Sequence, residues 1–329
     1  MAEGAGVHPA TASRALNPET RHLVSQGTVE RVGQIAASLG YRVNPVARSL
    51  KTARSATIGL IVPDLQNPLF PPIVRGVEDV LGAIGYSAWI VNTDNDPVRE
   101  AAAVEAMHAR NVEGFVFATA RLEHPLIEQL AAADFPLVLV NRRLARTDIP
   151  SVTADDVSGV AMAMRHLVEL GHEKIAHLAG PQDLSTGVAR LRAFRQALDD
   201  HGLEDTAALI VACEEWTQAA GSAAADRLFD SGAEFTAVFA GNDLLALGCY
   251  DALARRGLRC PEDISVVGFN DIPFIERFNP PMTSVRIPQY EIGAEAARLL
   301  LGELREPNRH PRSIVLPLEL RVRGSTARA

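Results

Sequence analysis

The residues near the N-terminus have the types and spacing of a helix that could read DNA. His8 can act as a helix N-cap, and Pro9 suits the first helical position because its missing N–H costs nothing there. Ala12, Ala15 and Leu16 then recur on one side at helical spacing. The other side offers an arginine that can chelate guanine, groups that can bond phosphates, and small residues that permit close approach: Pro9, Ala10, Thr11, Ser13, Arg14 and Asn17. A plain amphipathic helix is the alternative interpretation.

A second helix is predicted soon after the first. Ser25 has the side chain of an N-cap and Gly40 is a typical helix stop, so this helix is expected to reach about Leu39. Four apolar residues at helical spacing are expected to face inward: Val29, Val32, Ala36 and Leu39. Asn44 and Pro45 repeat the cap and proline signal ahead of a segment too short to be a stable helix alone.

Charge is divided unevenly along the chain. Residues 1 to 55 contain seven Lys and Arg against three Glu, a net charge of +4, whereas the rest contains 25 against 37, a net charge of −12, which gives the total of −8. A basic head favours nucleic acid because it neutralises phosphates, while an acidic body opposes nonspecific adhesion. A basic surface without a partner is the alternative that charge alone allows.

Composition excludes several classes of protein. The 329 residues, 47% hydrophobic and 22% charged, suffice for two or three folded units. No apolar run reaches the ~18 residues that span a bilayer, and no signal-peptide pattern is present, so a cytoplasmic protein without a membrane partner is expected. Cys213, Cys249 and Cys260 have neither disulfide-framework nor metal-ligand spacing, and no cofactor is predicted.

From residue 56 onward, short apolar runs alternate with helical stretches. This alternation is typical of parallel sheets with helices on both faces. The region is too large for one such sheet, so two similar lobes are expected, with the chain passing between them near 151–155 and again near 280–288. The predicted strands span 57–62, 88–91, 115–117, 137–140, 175–178, 209–211, 237–239 and 265–269.

The N-terminal segment resembles the DNA-binding headpiece of the LacI/GalR (lactose-repressor/galactose-repressor) family. The resemblance rests on AGVHPATASRALN over 5–17 and VSQGTVERVGQIAASLGYRVNPVARSLKTARS over 24–55. In that family two helices form a helix-turn-helix and a third supports them. The resemblance implies that Pro9, Ala10 and Arg14 read bases. It assigns phosphate contacts to Thr11, Ser13, Asn17, Ser25 and Thr28.

The same resemblance implies a hinge helix that folds on the operator. Leu50 matches the leucine that wedges into a central minor-groove step, Ala47 and Arg48 flank it, and Asn44 opens the segment. Such a wedge trades unstacking of bases for a bent duplex and wider contact. Taken alone, Leu50 would be interpreted as a buried core residue.

One departure from the family concerns the first helix. Members usually carry the pattern TxxDVAxxAGV, whereas this sequence begins MAEGAGV, so the front half of that helix is expected to be missing. We interpret this as a start codon assigned too late, with Met1 in the place of the family valine. A headpiece shortened in this way would lack part of its core.

The region after residue 56 resembles the periplasmic-binding-protein-like core of the same family. The matching segments are 58–64 with 67–70, 166–172, 178–180, 241–248, 263–271 and 323–326. In α/β proteins of this kind, ligands bind beyond the carboxyl ends of the strands. The resemblance therefore implies a small-molecule effector between the lobes, held by Phe70, Asn141, Arg190, Trp216, Asn242 and Asn270.

These residue types suit a small polar ligand. The paired donors of Arg190 fit hydroxyls or carboxylates, and Trp216 offers a flat face to a sugar ring. Asn141 and Asn270 stand where sugar-responsive members often have aspartate, so nucleosides and other polar metabolites stay open beside carbohydrates. Each residue also has a plain alternative, because an asparagine after a strand often caps the next helix and an arginine on a helix is usually solvated.

The predicted architecture is a small all-α helix-turn-helix headpiece followed by an α/β two-lobe periplasmic-binding-protein-like core with parallel sheets. The headpiece is expected over 1–43, with its first helix truncated, and the hinge helix and linker over 44–55. The core is expected over 56–329, with lobe 1 formed by about 56–154 and 286–313 and lobe 2 by about 155–285 and 314–329.

The predicted function is a ligand-responsive transcription regulator, a repressor, that binds a pseudo-palindromic operator as a homodimer. No leucine-heptad tail follows Arg323 to Thr326, which favours a dimer. The alternative is a solute-binding or sugar-binding protein of the same two-lobe fold without DNA binding. That alternative would need an export signal and no basic headpiece.

Catalysis is not predicted. GxGxxG, Walker, GxSxG and HExxH patterns are all missing. Asp155 and Asp156 could suggest a carboxylate pair, but adjacent residues on a strand point to opposite faces, and Asp156 is predicted to cap the next helix instead.

Overall fold

The computed structural model describes residues 1–17, 20–41, 55–145, 148–306 and 312–329. The chain divides into two compact units, Met1–Ala56 and Thr57–Ala329. Each unit has its own buried apolar core. In the part of the chain that the structure describes, no helix is long and apolar enough to cross a membrane.

The N-terminal unit is helical. Helix α1 spans Pro9–Leu16, a short 3-10 helix spans Arg21–Leu23, and helix α2 spans Gln26–Ser38. The Nδ1 atom of His8 accepts a hydrogen bond from the N–H of Ala10 at 3.2 Å, which confirms the predicted cap.

A small core joins the two helices of this unit. Ala12 and Ala15 of α1 are buried against Val32 of α2, and Ala5, in the turns ahead of α1, is buried with them. The prediction that Leu39 faces inward is wrong, because Leu39 is 61% exposed. Helix α2 ends at Ser38, so Leu39 is the C-cap and leaves the helical periodicity that placed it inside.

The C-terminal unit contains two six-stranded sheets, one in each lobe. The first sheet has the strand order β11-β5-β4-β3-β1-β2, and all its neighbouring strands are parallel. Its strands are β1 (Thr57–Val62), β2 (Ser87–Asn92), β3 (Gly114–Phe117), β4 (Leu137–Val140), β5 (Ser151–Ala154) and β11 (Ser313–Leu316).

The second sheet repeats this arrangement with the order β12-β10-β9-β8-β6-β7. Its strands are β6 (Ile175–Ala179), β7 (Ile210–Ala212), β8 (Ala237–Ala240), β9 (Ser265–Asn270), β10 (Thr283–Arg286) and β12 (Glu319–Arg321). β12 pairs antiparallel with β10 at the sheet edge, whereas the other neighbours are parallel.

Helices cover both sheets because the strands are buried on both faces. In the first lobe, α3 (Phe70–Gly82) packs against α10 (Gln289–Arg305), and the lobe also contains α4 (Pro97–His108) and α5 (Pro125–Ala132). The second lobe contains α6 (Asp156–Glu169), α7 (Ser185–Asp200), α8 (Gln218–Asp230) and α9 (Asp243–Arg255). Within it α6 packs on α7, and α8 packs on α9.

The chain passes between the two sheets three times: after Ala154, between Arg286 and Gln289, and between Leu316 and Glu319. The third passage lies later than the predicted boundary between 313 and 314, because the whole of β11 pairs with β5. Strands β5, β10, β11 and β12 were not predicted. All four are short, and polar residues interrupt the apolar run in β5, β10 and β12, whereas β11 contains a three-residue apolar run that the prediction missed.

Candidate DNA-binding face and ligand cleft

All three predicted base-reading residues of helix α1 are exposed to solvent, whereas the predicted phosphate contacts on and beside this helix are only partly so. Pro9, Ala10, Ser13 and Arg14 are exposed, while Thr11 and Asn17 are half-buried. The guanidinium of Arg14 makes no hydrogen bond or ion pair with any described residue, so its donors are free for a base edge. The burial of Ala12 and Ala15 on the opposite side fixes which face is turned outward.

Two of the four hydroxyls predicted to contact phosphate, those of Ser25 and Thr28, lie together at the start of α2. The Oγ of Ser25 and the Oγ1 of Thr28 are 2.9 Å apart, and Ser25 is exposed. Ser25 occupies the N-cap position, but its side chain bonds to Thr28 and makes no capping bond to the backbone. The predicted hinge residues Asn44, Ala47, Arg48 and Leu50 lie outside the described residues.

In the core, the six predicted effector residues line one small cavity between the lobes, which we term the inner cavity. It has a volume of about 10 Å³, room for about one water molecule. Nine of its ten lining residues are buried, and Trp216 is half-buried. The lining consists of the predicted Phe70, Asn141, Arg190, Trp216, Asn242 and Asn270, together with Asn67, Leu69, Arg142 and Thr186.

The fold brings these residues together in part because several of them lie at or just after the carboxyl ends of strands. Asn141 follows β4, Asn242 follows β8, and Asn270 ends β9. Parallel strands in one sheet end at the same edge, so the loops of the two sheets meet in the crevice between the lobes.

Arg190 lies at the centre of the inner cavity and is 3% exposed. Its Nε donates to the Oδ1 of Asp156 at 2.8 Å, and its Nη1 donates to the carbonyl oxygen of Gly241 at 2.6 Å. The guanidinium lies 3.8 Å from the ring centre of Phe269 and 5.5 Å from that of Trp216. Its Nη2 makes no hydrogen bond to a described residue.

Two asparagines carry unsatisfied oxygens at this cavity. The Oδ1 atoms of Asn141 and Asn270 are buried without a hydrogen-bond partner among the described residues. Both residues also have positive φ angles, 63° for Asn141 and 117° for Asn270. At Asn141 the chain makes a tight turn, in which the N–H of Arg142 bonds to the carbonyl oxygen of Val140 at 2.6 Å. Buried acceptors in strained backbone are typical of a binding site.

Asn242 combines a structural role with its place in the cavity. Its Oδ1 accepts from the N–H of Leu245 at 2.8 Å and caps α9. The capping alternative considered for the asparagines therefore holds for Asn242, and its side-chain amide nitrogen stays available on the cavity side.

Trp216 packs over two glycines. A Cβ atom added at Gly180 would lie 1.9 Å from the Trp216 ring, and one added at Gly241 would lie 3.0 Å from it. The absence of side chains at these two strand ends lets the ring lie flat against the backbone of the second lobe.

The predicted effector residues did not include four lining residues of the cavity, Asn67, Leu69, Arg142 and Thr186, and the role of Asp156 beside the cavity was misassigned. Asp155, not Asp156, caps α6, because its Oδ1 accepts from the N–H of Ser158 at 3.1 Å. Asp156 instead forms the buried ion pair with Arg190. Arg142 was not predicted, although its position directly after Asn141 at a strand end was a usable signal.

Buried charge marks this part of the cleft. Arg142 is 4% exposed, forms no ion pair with a described residue, and has a buried Nε without a hydrogen-bond partner in the described chain. Burial lowers the pKa of its guanidinium to about 10, and the nearby Arg121 adds to this effect. Burial raises the pKa of the Asp156 carboxyl, while Arg190 opposes the rise because it stabilises the ionised form.

A second space, which we term the outer chamber, shares Asn67, Phe70, Arg142 and Trp216 with the inner cavity. Its volume is about 540 Å³, which is in the range of small-molecule sites. Acidic residues predominate among its charged lining residues: Asp64, Asp94, Asp183, Glu214 and Glu215, against Arg121 and Arg142.

Polar contacts cross the cleft at the rim of the outer chamber. Arg121 of the first lobe forms an ion pair with Asp183 of the second lobe at 2.7 Å, and the N–H of Leu122 donates to the carbonyl oxygen of Asp183 at 2.9 Å. At the back of the cleft, the Nε2 of Gln289 donates to the carbonyl oxygen of Asn270 at 2.8 Å. Polar contacts therefore bridge the cleft near its mouth and also beside the passage of the chain between Arg286 and Gln289.

A larger cavity of about 780 Å³ lies beside the passages between the lobes and contains none of the predicted effector residues. Its lining includes Arg286, Gln289 and Leu318, which belong to those passages. We place the ligand site in the cleft instead, because the strand ends of both sheets converge there with the unsatisfied oxygens of Asn141 and Asn270 and the unsatisfied Nε of Arg142.

Two family models match this chain. One, described as "Bacterial regulatory proteins, lacI family", matches residues 1–44. The other, described as "Periplasmic binding protein-like domain", matches residues 164–326.

Similar proteins span almost the whole chain. The HTH-type transcriptional repressor CytR of Escherichia coli (strain K12) is 34% identical over 323 residues, which cover 98% of this chain and 94% of CytR. The HTH-type transcriptional regulator CelR of Thermobifida fusca is 34% identical over 328 residues, which cover 98% and 95%.

Solved structures agree with these matches. The lac repressor dimer bound to operator and the anti-inducer ONPF gives a TM-score of 0.87 at 27% identity, covering 99% of this chain and 97% of that one. The complex of the transcriptional regulator CelR with cellobiose gives 0.77 at 32% identity, covering 98% of both chains. With an N-terminal helical unit, a two-lobe core and relatives of this similarity along nearly its full length, the chain belongs to the LacI family of bacterial regulatory proteins.

Proposed function

We propose that this chain is a sequence-specific DNA-binding transcription regulator, a repressor, whose operator affinity is controlled by a small polar effector held between the two lobes. The observation that carries this proposal is the inner cavity, where all six predicted effector residues, from both lobes, line one space. The exposed face of α1 supplies the complementary DNA-binding surface, with Arg14 as its base reader.

The regulator acts as a homodimer on a pseudo-palindromic operator. A two-fold dimer presents two copies of α1 to two half-sites, which matches the symmetry of such DNA. The similarity to a lac repressor dimer bound to operator supports this assembly. Its place of action is then the cytoplasm, on the nucleoid DNA.

The effector works by changing the relation between the lobes. Asn270 lies in the inner cavity, and its carbonyl oxygen is held by Gln289, the first residue of a helix in the other lobe. A ligand that bonds to the side chain of Asn270 therefore acts directly beside a passage between the lobes. Coupling to DNA requires that the ligand binds one lobe arrangement more tightly than the other.

The resemblance favours a carbohydrate as effector. The solved relatives with cellobiose and with ribose bound support a sugar, and a nucleoside fits the same hydroxyl-binding groups. Polyhydroxyl compounds, both uncharged and charged, are therefore the class of ligand to screen.

Fluorescence anisotropy tests the proposal. The chain is titrated against labelled DNA from upstream of its own gene and against random DNA at two salt concentrations, and operator binding is then screened with ribose, cellobiose and nucleosides. We expect specific binding that weakens with salt, and one compound that changes it. Equal affinity for the upstream DNA, random DNA and sequences selected from randomised palindromes would contradict the DNA-binding proposal.

A variant in the cleft separates DNA binding from the response to the effector. Arg190→Lys keeps the charge but loses the planar guanidinium that stacks on Phe269 and bonds to Gly241. We expect unchanged operator binding without effector and a weakened response to the active compound. An unchanged response to the active compound, or loss of operator binding in the absence of effector, would contradict the proposal.

A further inference from the structure

The protein itself already neutralises part of the positive charge that lines the inner cavity. Arg190, which would otherwise attract an anion, is paired at 2.8 Å with Asp156, and the side chains of this pair are only 3% and 11% exposed. A second donor of the same guanidinium is used by the carbonyl oxygen of Gly241. In a site this dry, Asp156 cancels most of the field that Arg190 would offer to a phosphate or carboxylate.

The unsatisfied atoms require a ligand that donates as well as accepts. The Oδ1 atoms of Asn141 and Asn270 need donors, and the Nε of Arg142 needs an acceptor. An unprotonated phosphate or carboxylate oxygen can only accept, so such a group placed against these atoms would leave both amide oxygens buried and unsatisfied. A hydroxyl group does both, so vicinal hydroxyls satisfy all three atoms.

The approach to the site is acidic. Glu214 and Glu215 are exposed, form no ion pair with a described residue, and lie directly before Trp216, which borders both spaces. Asp64 lies on the first-lobe side of the same chamber. Because carboxylates repel an approaching anion, the outer chamber strengthens the preference set by the inner cavity.

We propose that Asp156 neutralises Arg190 and thereby makes the cleft selective for an uncharged polyhydroxyl effector over phosphorylated or carboxylated compounds. This inference rests on the proposed function, because it names the class of ligand for the same cleft. Asp183 and Glu100 offset the positive charge of Arg142 only in part, and its unsatisfied Nε is left to bond a hydroxyl oxygen.

The first test uses inorganic phosphate as the probe and does not need the effector. Trp216 is followed by fluorescence in full-length protein that carries Trp89→Phe, so that it is the remaining tryptophan. Phosphate is titrated into this protein and into the same protein with D156N. The asparagine can still accept from the Nε of Arg190, but it leaves that guanidinium uncompensated.

We expect no saturable change for the parent protein and saturable phosphate binding for D156N, at least about tenfold tighter than any residual binding by the parent. D155N is the matched control, because Asp155 caps α6 without contacting Arg190 and asparagine is an equally good cap. Phosphate binding of equal strength in parent and D156N, including no binding in either, would overturn the proposal. So would an equal gain in D155N.

The second test compares neutral and anionic forms of one compound on the wild-type protein, so it does not depend on a variant that folds. The pairs are ribose and ribose 5-phosphate, cellobiose and cellobionate, and a nucleoside and its 5′-phosphate, each followed by the rise in Tm. The neutral member of the pair that stabilises the protein is expected to bind at least about tenfold more tightly. Stabilisation by an anionic member as strongly as by its neutral partner, or by anionic members alone, contradicts the inference.

Operator binding by the same samples distinguishes failure of the inference about effector class from failure of the proposed function. Specific operator binding together with a preference for anions would contradict the inference about effector class but not the proposed function. Loss of specific operator binding, whatever the ligand preference, sinks the proposed function.

Discussion

Asn141 and Asn270 of the inner cavity each combine a positive φ angle with a buried, unsatisfied side-chain oxygen. Asn270 holds a φ of 117°, a region that residues with a Cβ rarely occupy, and its Oδ1 is buried without a partner among the described residues. Each of these features costs folding free energy. Their coincidence at one cavity is explained if a ligand, and not the folded chain, satisfies them.

Asn270→Gly separates the two costs. Glycine removes the strain and the buried oxygen but increases the entropy of the unfolded chain, so the free energy of unfolding is expected to stay within about 1 kcal/mol of wild type. The response to effector is expected to be lost. Urea denaturation and the anisotropy assay measure the two quantities.

The matched control is Asn111→Gly. Asn111 also has a positive φ, 55°, but it is exposed and lines neither the inner cavity nor the outer chamber. It should show a similar change in stability with a normal effector response. A normal response in Asn270→Gly would remove Asn270 from the proposed ligand contacts.

Arg14 gives a second prediction at this scale. Arg14→Ala removes an exposed guanidinium from the DNA-binding face and is expected to cost about 1–3 kcal/mol of specific binding and to relax one operator position. Selection from randomised operators measures both effects. Arg165→Ala, an exposed arginine on α6 of the core, should change neither. An equal loss on specific and random DNA would assign Arg14 to the phosphate backbone instead.

Sequence reasoning found six cavity residues but could not resolve neighbours. The strand-end rule places both Asp155 and Asp156 near the cleft, yet which one caps the helix and which one turns inward depends on the backbone angle at the end of β5. The prediction chose the wrong one. Arg142 was missed for the same reason, because the tight turn at Asn141 brings two consecutive side chains to one cavity.

Among the elements, the pair α3 and α10 shows how glycine sets helix spacing. A Cβ atom at Gly293 of α10 would lie 1.9 Å from the carbonyl oxygen of Ile73, and one at Gly76 of α3 would lie 2.1 Å from that of Tyr290. The two backbones therefore touch at small residues. This contact attaches α10, which follows the second lobe in the chain, to the first lobe.

Gly293→Ala is expected to destabilise the protein by about 1–3 kcal/mol, because backbone must move to admit the methyl group. Gly302→Ala, on the same helix with nothing within 4 Å of its added Cβ, is expected to stabilise it by up to about 1 kcal/mol. Thermal or chemical unfolding measures both variants. Similar effects in the two variants would mean that the close approach does not govern the helix pair.

The cap of α9 offers a test that separates structure from binding within one side chain. Asn242→Asp keeps an oxygen acceptor for the N–H of Leu245 but loses the amide nitrogen at the cavity. We expect the cap to be kept, a loss of stability from the buried carboxylate that shrinks as the pH is lowered, and a weakened effector response. Asn242→Ala should lose the cap as well, at a cost of about 1 kcal/mol. An unchanged effector response in Asn242→Asp would leave Asn242 with capping as its whole role.

Strand prediction succeeded where burial on both faces produced an unbroken apolar run. β1, β4 and β8 are of this kind. β11 alternates between exposed and half-buried residues, and β12 is a three-residue edge strand, so neither stands out from a loop. Their pairing is fixed by contacts with strands far away in sequence, which no local pattern encodes.

At the scale of the molecule, buried titratable groups link stability to pH. Burial raises the pKa of the Asp243 carboxyl from 3.8 to about 7, and hydrogen bonds from Ser284 and from the N–H of Ile272 oppose the rise. The folded protein thus holds a proton that the unfolded chain releases between these two values. The resulting stabilisation is complete below pH 3.8 and is lost as the pH rises through 7.

Wild type is therefore expected to lose about 2–3 kcal/mol relative to Asp243→Asn between pH 5 and pH 8. The comparison with this variant cancels other titrating groups, such as His177, whose pKa burial lowers to about 4. Urea denaturation at both pH values measures the difference. A constant difference between the two proteins would show that Asp243 does not titrate in this range.

The two-unit plan, the alternation of strands and helices and the first two passages between the lobes were all predictable, because each leaves a local trace in charge, periodicity or apolar runs. The small volume of the inner cavity was not predictable from the sequence. Its volume depends on how Trp216 packs on Gly180 and on the bridges across the cleft, which are distances between distant parts of the chain.

The three passages between the lobes also fix the order in which the protein can be completed during synthesis. The first lobe begins at β1, yet its sheet lacks an edge until β11, and its covering helix α10 spans Gln289–Arg305. The ribosome must therefore translate the entire second-lobe sheet except β12 before the first lobe can close. The helices of the N-terminal unit, complete by Ser38, emerge hundreds of residues earlier. Nascent chains should thus carry a folded DNA-binding unit long before either lobe can bind an effector.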